Sequence, residues 1–405
     1  MVRLRGAGWR AVVCMAVAWF SGLPEIERVV AAAPINSPSA PYGARALADV
    51  GDQGAYYYWC DSEHLLILEP ASPPGHFRAV MLDIRSGGRE PLTRVNSRLS
   101  AFRGVRTVMY RSSRDGSEQA EVRYEPLGFA VSPDGRRLIW PIGTYGDNAG
   151  WTGADLTGQP MPVWRPLRAE PVQYYVDLPV WMPDGRSWVL TQVEYDKARS
   201  TMKTKRAVFW SVASGRAQRT VSLDALEETV PVAALGEDRL LFRQDEPRGD
   251  RNAILLYELA TVADSVRARR CRVVFPDEVV LLGQPSCGRR GRLVWVVSHQ
   301  PRLDGPLLPT KASMWTSRAD GSDMRQLKVR PQSGRDEIYL PWVPLQVQWT
   351  PDGRHVTFLH GTTVLVAPDP ANGTVLRWGA VVLIVVTGLL GITWRGLASR
   401  GRAKR

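Results

Sequence analysis

The chain has 405 residues, of which 44% are hydrophobic and 23% are charged. This composition excludes a largely disordered protein and supplies enough apolar residues for a sizeable core. The formal net charge is +12, but only about +4 remains once residues 1–32, Arg377 and residues 395–405 are set aside. We therefore predict no nucleic-acid partner, because nucleic-acid-binding proteins carry a clustered basic face.

The N-terminus has the three parts of a secretory signal peptide. Three arginines stand within the first ten residues, an apolar run follows over residues 11–20, and three alanines stand at 31–33. The apolar run is too short to cross a bilayer, which takes about 20 apolar residues. We predict a signal peptide over residues 1–32, with a cleavage point anywhere from Gly22 to Ala33.

The C-terminal region has the composition of a membrane anchor. Residues 378–394 carry no charge over 17 positions, and a tryptophan stands at each end. We predict a transmembrane helix over residues 374–394, since an apolar stretch with interfacial tryptophans is typical of one. The tail, residues 395–405, has five basic residues and no acid, which places it in the cytoplasm. The body, residues 33–373, is then extracytoplasmic on a single-pass protein of the cytoplasmic membrane.

One short motif recurs three times in the body. Pro-Asp-Gly-Arg stands at residues 133–136, 183–186 and 351–354, each time before an apolar stretch. Proline presets φ for the first turn position, aspartate suits the second, and glycine takes the left-handed position that closes a tight loop. We predict three strand–turn–strand hairpins. Their structural turn residues are Asp134, Gly135, Asp184, Gly185, Asp352 and Gly353.

Weaker copies of this pattern fill the intervals between the three motifs. All the copies together start near residues 59, 131, 181, 235, 288 and 349. Spacings of about 50–70 residues are typical of four-stranded propeller blades with loop insertions. The predicted fold class is all-β: a six-bladed or seven-bladed β-propeller, followed by one C-terminal transmembrane α-helix. The last unit lacks a fourth strand, and we expect a strand within residues 46–58 to supply it and close the ring.

The paired motifs resemble the TolB-type β-propeller repeat. The resemblance rests on the Pro-Asp-Gly-Arg turns with their apolar strands and on the Ala-Asp-Gly-Ser turn at residues 319–322, and it covers roughly residues 50–370. The repeat is also similar to those in the propellers of tricorn protease and the prolyl oligopeptidase family. The resemblance implies the fold and says little about activity. The predicted anchor and the lack of a helical N-terminal domain differ from TolB, so the partners of TolB are not carried over.

No catalytic or metal-binding pattern stands out in the sequence. There is no Gly-x-Ser-x-Gly nucleophile elbow, and the five histidines have no metal-ligand spacing. The repeated aspartates are expected to cap turns and not to act as paired carboxylates. We therefore predict no catalytic residue, no cofactor and no metal, and an enzyme with its site in the central funnel is the weakest of three hypotheses.

Two residue types remain as candidates for specific roles. Of the 15 tryptophans, four stand near predicted strand ends or loops, where they are candidate contacts for a partner or ligand: Trp140, Trp151, Trp164 and Trp342. Cys271 and Cys287 flank a stretch that could double back, which makes them candidates for a disulfide. The alternative is that these two residues and Cys60 are buried thiols.

The favoured function is a non-enzymatic scaffold that binds a protein of the cell envelope or membrane. A rigid ring would present its loops to the partner, and the C-terminal helix would hold it on the membrane. The alternative is a carbohydrate-binding or peptide-binding sensor, with a glycan or a peptide as its ligand. The short cytoplasmic tail has no room for a signalling domain, so such a sensor would need a membrane partner to report inward.

Overall fold

The computed structural model describes residues 44–371 with several internal gaps. The residues left out within that range are 52–54, 103–104, 114–117, 127, 144–149, 166–172, 177–178, 197–200, 224–228, 238, 246–252, 263–264, 277–278, 282–284, 289–290, 299–311, 328–345 and 361. The predicted signal peptide, transmembrane helix and cytoplasmic tail lie outside the described residues, as does Trp342. Within the described part of the chain, no helix is long and apolar enough to cross a membrane.

The described chain consists almost entirely of antiparallel β-strands. In chain order they are β1 (Arg45–Asp49), β2 (Tyr56–Trp59), β3 (His64–Ala71), β4 (His76–Asp83), β5 (Arg89–Pro91), β6 (Val105–Ser113), β7 (Glu118–Pro126), β8 (Ala130–Val131), β9 (Arg137–Gly143), β10 (Gly150–Asp155), β11 (Gln173–Val176), β12 (Val180–Trp181), β13 (Ser187–Asp196), β14 (Thr201–Ser211), β15 (Ala217–Ser222), β16 (Thr229–Gly236), β17 (Arg239–Asp245), β18 (Ala253–Val262), β19 (Ser265–Val274), β20 (Val280–Leu281), β21 (Ser286–Cys287), β22 (Arg292–Ser298), β23 (Ala312–Arg318), β24 (Arg325–Leu327), β25 (Val347–Trp349), β26 (His355–His360) and β27 (Thr363–Pro368). A short helix, α1 (Thr93–Leu99), follows β5.

The strands form the six blades of a β-propeller. Blade 1 is β2–β5, blade 2 is β8–β10, blade 3 is β11–β15, blade 4 is β16–β19, blade 5 is β20–β24, and blade 6 is β25–β27 together with β1. The six predicted repeat starts fall in β2, β8, β12, β16 and β25 or directly after β21, which is one start in each blade, so the six-bladed alternative is confirmed. β6 and β7 form a separate hairpin inserted between blades 1 and 2.

The ring closes through a strand from the N-terminal side of the propeller. β1 pairs antiparallel with β27, from Arg45 opposite Val366 to Asp49 opposite Thr363. This is the closing strand that the sequence predicted within residues 46–58, and the end of that range forms β2 of blade 1 instead. The two ends of the propeller therefore share one sheet, and opening the ring requires breaking that pairing.

A second set of contacts closes the same seam at the centre of the ring. The backbone N–H of Tyr57 in β2 donates to Oε1 of Gln346 at 2.9 Å, and Nε2 of Gln348 donates to the carbonyl oxygen of Tyr57 at 2.6 Å. The hydroxyl of Tyr57 donates to Oγ1 of Thr357 in β26 at 3.0 Å. The innermost strands of blades 1 and 6 are thus held together by side chains.

The core lies between the blades, because the second strand of a blade has a neighbour on both faces. In β3, Leu65 and Ile67 pack against blade 6, whereas Leu66 and Leu68 pack against blade 2, and all four are fully buried. This explains the continuous apolar run in a strand that would alternate if one face met water. Among the described residues, one apolar cluster lies at each of the six seams.

The three Pro-Asp-Gly-Arg motifs form tight turns. Gly135, Gly185 and Gly353 have φ angles of 70°, 62° and 66°, in the region that a Cβ disfavours. In each turn the preceding aspartate accepts the backbone N–H two residues on, at 3.1, 2.8 and 3.1 Å respectively. Burial would raise the pKa of Asp134, but hydrogen bonds from Ser132 and the Arg136 N–H outweigh it and lower the pKa below its ordinary value.

The antiparallel order gives the propeller two different faces. The turn between the first and second strands of a blade opens on the same side as the turn between the third and fourth. We call this side the turn face, and it holds the Pro-Asp-Gly-Arg turns and the turns that follow β4, β14 and β23. The opposite side, the loop face, holds the connections between second and third strands and those that lead from one blade to the next.

Substitutions at two of the turn glycines separate the effect of a positive φ on stability from the effect of close packing. A Cβ at Gly135 would lie 1.8 Å from the carbonyl oxygen of Cys60, whereas one at Gly185 would meet no atom nearer than 3.8 Å. We expect Gly185→Ala to lower the free energy of unfolding by about 1–2 kcal/mol, from its positive φ alone. Gly135→Ala should lower it by about 1–3 kcal/mol more, because the backbone of Cys60 must also move. Urea unfolding of the full-length protein measures both, and equal losses would contradict the close approach.

Candidate functional site

The described chain leaves the propeller on the turn face. β27 is the third strand of blade 6, and it ends at Pro368 beside the Pro-Asp-Gly-Arg turn of that blade. The backbone N–H of Asp369 donates to the carbonyl oxygen of Arg354 in this turn at 3.1 Å. Residues 369–371 therefore lie on the turn face, close in sequence to the predicted transmembrane segment, 374–394.

A buried charged network, which we call the exit clasp, holds this point of the chain. It consists of Arg292, Asp323 and Asp369, and the guanidinium of Arg292 lies between the two carboxylates. Its Nη1 is 2.7 Å from Oδ2 of Asp323, and its Nε is 2.8 Å from Oδ2 of Asp369. The side chains of Arg292 and Asp369 are only 10% and 2% exposed. Buried charges are stable only when paired, so these contacts fix the exit against blade 5.

Polar neighbours complete the exit clasp. Nη2 of Arg292 donates to Oγ1 of Thr316 at 3.0 Å, and Arg325 donates to Asp323 at 2.7 Å and to the carbonyl oxygen of Pro370 at 3.2 Å. Burial would raise the pKa of Asp323, but its hydrogen bonds with Arg325 and Arg292 outweigh it and lower the pKa. Asp323 therefore stays ionised around neutral pH, and Arg325 connects it to the backbone of the exit at Pro370.

A second charged group lines an open cleft at the seam between blades 6 and 1. Glu69 in β3 stands directly opposite Arg78 in β4, and its side chain is only 5% exposed. Nε of Arg78 donates to one carboxylate oxygen at 2.6 Å, and Nη2 of Arg89 donates to the other. We call this place the arginine cleft. It has a volume of about 380 Å³ and is lined by Gly51, Glu69, Arg78, Val80, Arg89 and Pro91.

The sequence reasoning missed the arginine cleft, although one signal was present. Glu69 stands in phase with Leu65 and Ile67, on the face of β3 that packs against blade 6. A carboxylate at a core position needs a paired cation. The sequence alone does not say which of the many arginines of this chain reaches it, because Arg78 and Arg89 come from two further strands.

The structure buries three of the four tryptophans that were expected to contact a partner or ligand. Trp140, Trp151 and Trp164 are 0%, 2% and 1% exposed. Trp140 stacks on Phe129 between blades 1 and 2, and the other two pack between blades 2 and 3. The expected surface role is wrong for these three, because a neighbouring blade covers each of them. Trp342 lies outside the described residues, and its role stays a prediction.

Trp151 and Trp164 belong to an aromatic cluster centred on Trp188. Their ring centroids lie 5.7 and 5.1 Å from that of Trp188, and Trp210 stacks on Trp188 with a centroid distance of 6.3 Å. Nε1 of Trp164 donates to the carbonyl oxygen of Ser211 at 3.2 Å. The cluster joins blades 2 and 3, so these rings stabilise the propeller.

The three cysteines in the described part of the chain are free thiols, so the predicted disulfide between Cys271 and Cys287 is wrong. Cys60 and Cys271 are buried, as the alternative predicted, whereas Cys287 is half-buried. Cys271 and Cys287 belong to the apolar cluster between blades 4 and 5, where each packs as a small hydrophobe. Burial raises the pKa of Cys287 and of Cys60 to about 12. Within the described residues, no group of three or more His, Cys, Asp or Glu side chains could hold a metal ion.

A scan against protein-family models finds no match, and neither does a search of curated proteins. Among solved structures, the chain is similar to an oligogalacturonate lyase in complex with manganese, at 14% identity over 82% of this chain and 97% of that one, with a TM-score of 0.45. It is also similar to a gluconolactonase from Xanthomonas campestris, at 13% identity over 82% and 98%, with a TM-score of 0.41. A third is the β-propeller domain of the Trilobed protease from Pyrococcus furiosus, at 9% identity over 78% and 82%, with a TM-score of 0.37. The likeness concerns the propeller fold alone.

Replacing a tryptophan of the aromatic cluster tests its structural role. We expect Trp164→Ala to lower the free energy of unfolding by about 3–5 kcal/mol, because it removes a fully buried ring. The matched change Val163→Ala, at a neighbouring exposed position, should alter it by less than about 0.5 kcal/mol. Chemical unfolding measures both, and unchanged stability of Trp164→Ala would contradict the buried placement.

Thiol labelling tests whether Cys271 and Cys287 are free. Because their pKa values lie far above neutral, Cys60 and Cys287 should react slowly with iodoacetamide in the native protein at pH 7.5. In denaturant without reductant, these two residues and Cys271 should all become labelled. Peptide mapping by mass spectrometry reads both results, and a linked peptide of Cys271 and Cys287 in the non-reduced digest would contradict them.

Proposed function

We propose that this protein is a membrane-anchored, extracytoplasmic β-propeller that binds a protein of the cell envelope through its loop face. The turn face would lie toward the cytoplasmic membrane, and the anchor would be the helix predicted at residues 374–394. We also propose that the repeat is of the TolB type, on the strength of its Pro-Asp-Gly-Arg turns. No partner of TolB is transferred with it.

The observation that carries this proposal is the side on which the chain leaves the ring. β27 ends on the turn face, and the exit clasp between Arg292 and Asp369 fixes residue 369 there. Few residues separate that point from a segment predicted to span the membrane. Because Asp369 is held in place and the predicted segment begins five residues later, an orientation in which the turn face is near the bilayer and the loop face points away is supported.

The lengths of the connections support the choice of the loop face for binding. On the turn face, the connections are tight turns held by local hydrogen bonds, such as the turn from Asp83 to Gly88. The loop face receives the connections between blades and the links between second and third strands, and the longest of these links, after β17 and β22, have 7 and 13 residues. Binding residues stand disproportionately on such loops, since a rigid scaffold positions them while their sequence stays free to vary.

Photo-crosslinking from the two ends of one strand tests the proposal. Pro74 precedes β4 on the loop face and Ser86 follows it on the turn face, and both are exposed. The strand between them separates the two positions by roughly 25 Å, at about 3.3 Å per residue. With a photo-reactive amino acid at Pro74, we expect crosslinks to one envelope protein in native membranes, whereas the same residue at Ser86 should capture phospholipid.

Each position serves as the control for the other. A protein crosslinked only from Ser86 would overturn the orientation. Loss of all protein crosslinks from Pro74 and from other loop-face positions would overturn the scaffold role.

A further inference from the structure

We propose that the arginine cleft binds a small ligand through a single carboxylate group held between Arg78 and Arg89. This inference goes beyond the scaffold role and does not depend on the membrane anchor or on a protein partner. It rests on the charges, the unused donors and the shape of the seam between blades 6 and 1.

The charged side chains that line the cleft carry a net positive charge, and the nearby carboxylate of Asp49 is hydrogen-bonded to the backbone N–H of Gly51. Glu69 neutralises one of the two guanidinium groups, so Glu69, Arg78 and Arg89 together carry a net charge of +1. A monoanionic carboxylate brings the group to neutrality, whereas a phosphate dianion would leave it negative. Because Glu69 is almost fully buried and the two arginines are 64% and 33% exposed on their side chains, the unbalanced positive charge faces the open side of the cleft.

Both arginines have donors that the protein leaves unused. Arg78 bonds to Glu69 through Nε, and its two η nitrogens have no partner among the described residues. Arg89 uses Nη2 for Glu69 and for the carbonyl oxygen of Val50, at 3.0 Å in the second case. Its Nη1 and Nε have no described acceptor. Guanidinium groups with free edges are well matched to the two oxygens of a carboxylate.

The glycine at the mouth keeps this arrangement open. Gly51 has a φ of 81°, and a Cβ at this position would lie 2.6 Å from Nη1 of Arg89. A side chain there would displace the guanidinium from its place. Val80 and Pro91 supply the apolar part of the lining, and about 380 Å³ is enough room for one sugar or one terminal residue of a peptide.

Two classes of ligand carry a single carboxylate and fit this volume: an acidic sugar and the C-terminal residue of a peptide. Isothermal titration calorimetry of the full-length protein in detergent distinguishes them. The probes are glucuronate with glucose as its neutral match, and N-acetyl-alanyl-alanine with its C-terminal amide as the neutral match. We expect one of the two acids to bind saturably and its neutral match not to bind.

Matched arginine variants connect that binding to the cleft. Arg78→Gln should weaken binding of the acid about tenfold or more, because it removes a charge-assisted hydrogen bond at a largely exposed position. Arg85→Gln is the control: this exposed arginine of the same blade pairs with Glu63 on the turn face and should leave the affinity unchanged. The proposal is overturned if neither acid binds saturably, if neutral probes bind equally well, or if both variants behave alike.

A third variant separates ligand binding from a purely structural ion pair. Glu69→Gln raises the charge of the cleft to +2, and we expect it to bind the acid several-fold more tightly. An ion pair that only stabilises blade 1 would lose stability on this change, and the protein would gain no affinity for the acid. Near-UV circular dichroism checks that the variant is folded, and if it is not, the comparison of Arg78→Gln with Arg85→Gln decides by itself.

Discussion

The structure depends on one constraint, which is that a blade has two apolar faces and each face must be covered by another blade. The second strand of blade 1 shows this directly, since adjacent residues Leu66 and Ile67 pack against different neighbours. A linear row of such blades would leave an apolar face exposed at each end. Closing the row into a ring covers both of these faces, so the propeller depends on the seam between blades 6 and 1, where the ring closes.

The closing blade is held by three kinds of contact. β1 supplies backbone pairing with β27, and Gln346 and Gln348 reach across to the backbone of Tyr57 at the centre. Charged groups stand at both of its seams, with Glu69 and its arginines on the side of blade 1 and the exit clasp on the side of blade 5. The ion pair between Arg292 and Asp369 joins blade 5 to the end of blade 6, and Arg89 reaches the blade 6 side through its hydrogen bond to the carbonyl oxygen of Val50. A buried charge that loses its partner is costly, so the first of these contacts resists displacement of blade 6.

The same arrangement links architecture to function. The exit clasp determines where the chain leaves the ring, and the arginine cleft leaves a net positive charge at an accessible seam. The propeller fold by itself supports neither an enzyme nor a scaffold, because one fold can host many unrelated functions. The function of this propeller therefore depends on sites such as the exit clasp and the arginine cleft, where charged side chains interrupt the apolar pattern of the blades.

The sequence by itself determined the all-β class, the six repeat starts and the turn residues at Asp134, Gly135 and their counterparts. These features are local, since a turn motif and the apolar strand after it are read from adjacent residues. It also indicated the closing strand, because the last unit was one strand short. The sequence placed Trp140, Trp151 and Trp164 near strand ends or loops, but it did not predict that a neighbouring blade buries them. Spacing along the chain does not show which residues a neighbouring blade covers.

Only the tertiary structure decided which distant residues meet. Glu69 finds its arginines on two other strands, Arg292 finds Asp369 after the last strand of the ring, and Cys271 and Cys287 share a core without a bond between them. Such pairings depend on how six blades pack around a common axis, and one-dimensional spacing carries no information about that geometry. The fold could therefore be predicted from the sequence, whereas the exit clasp and the arginine cleft could not.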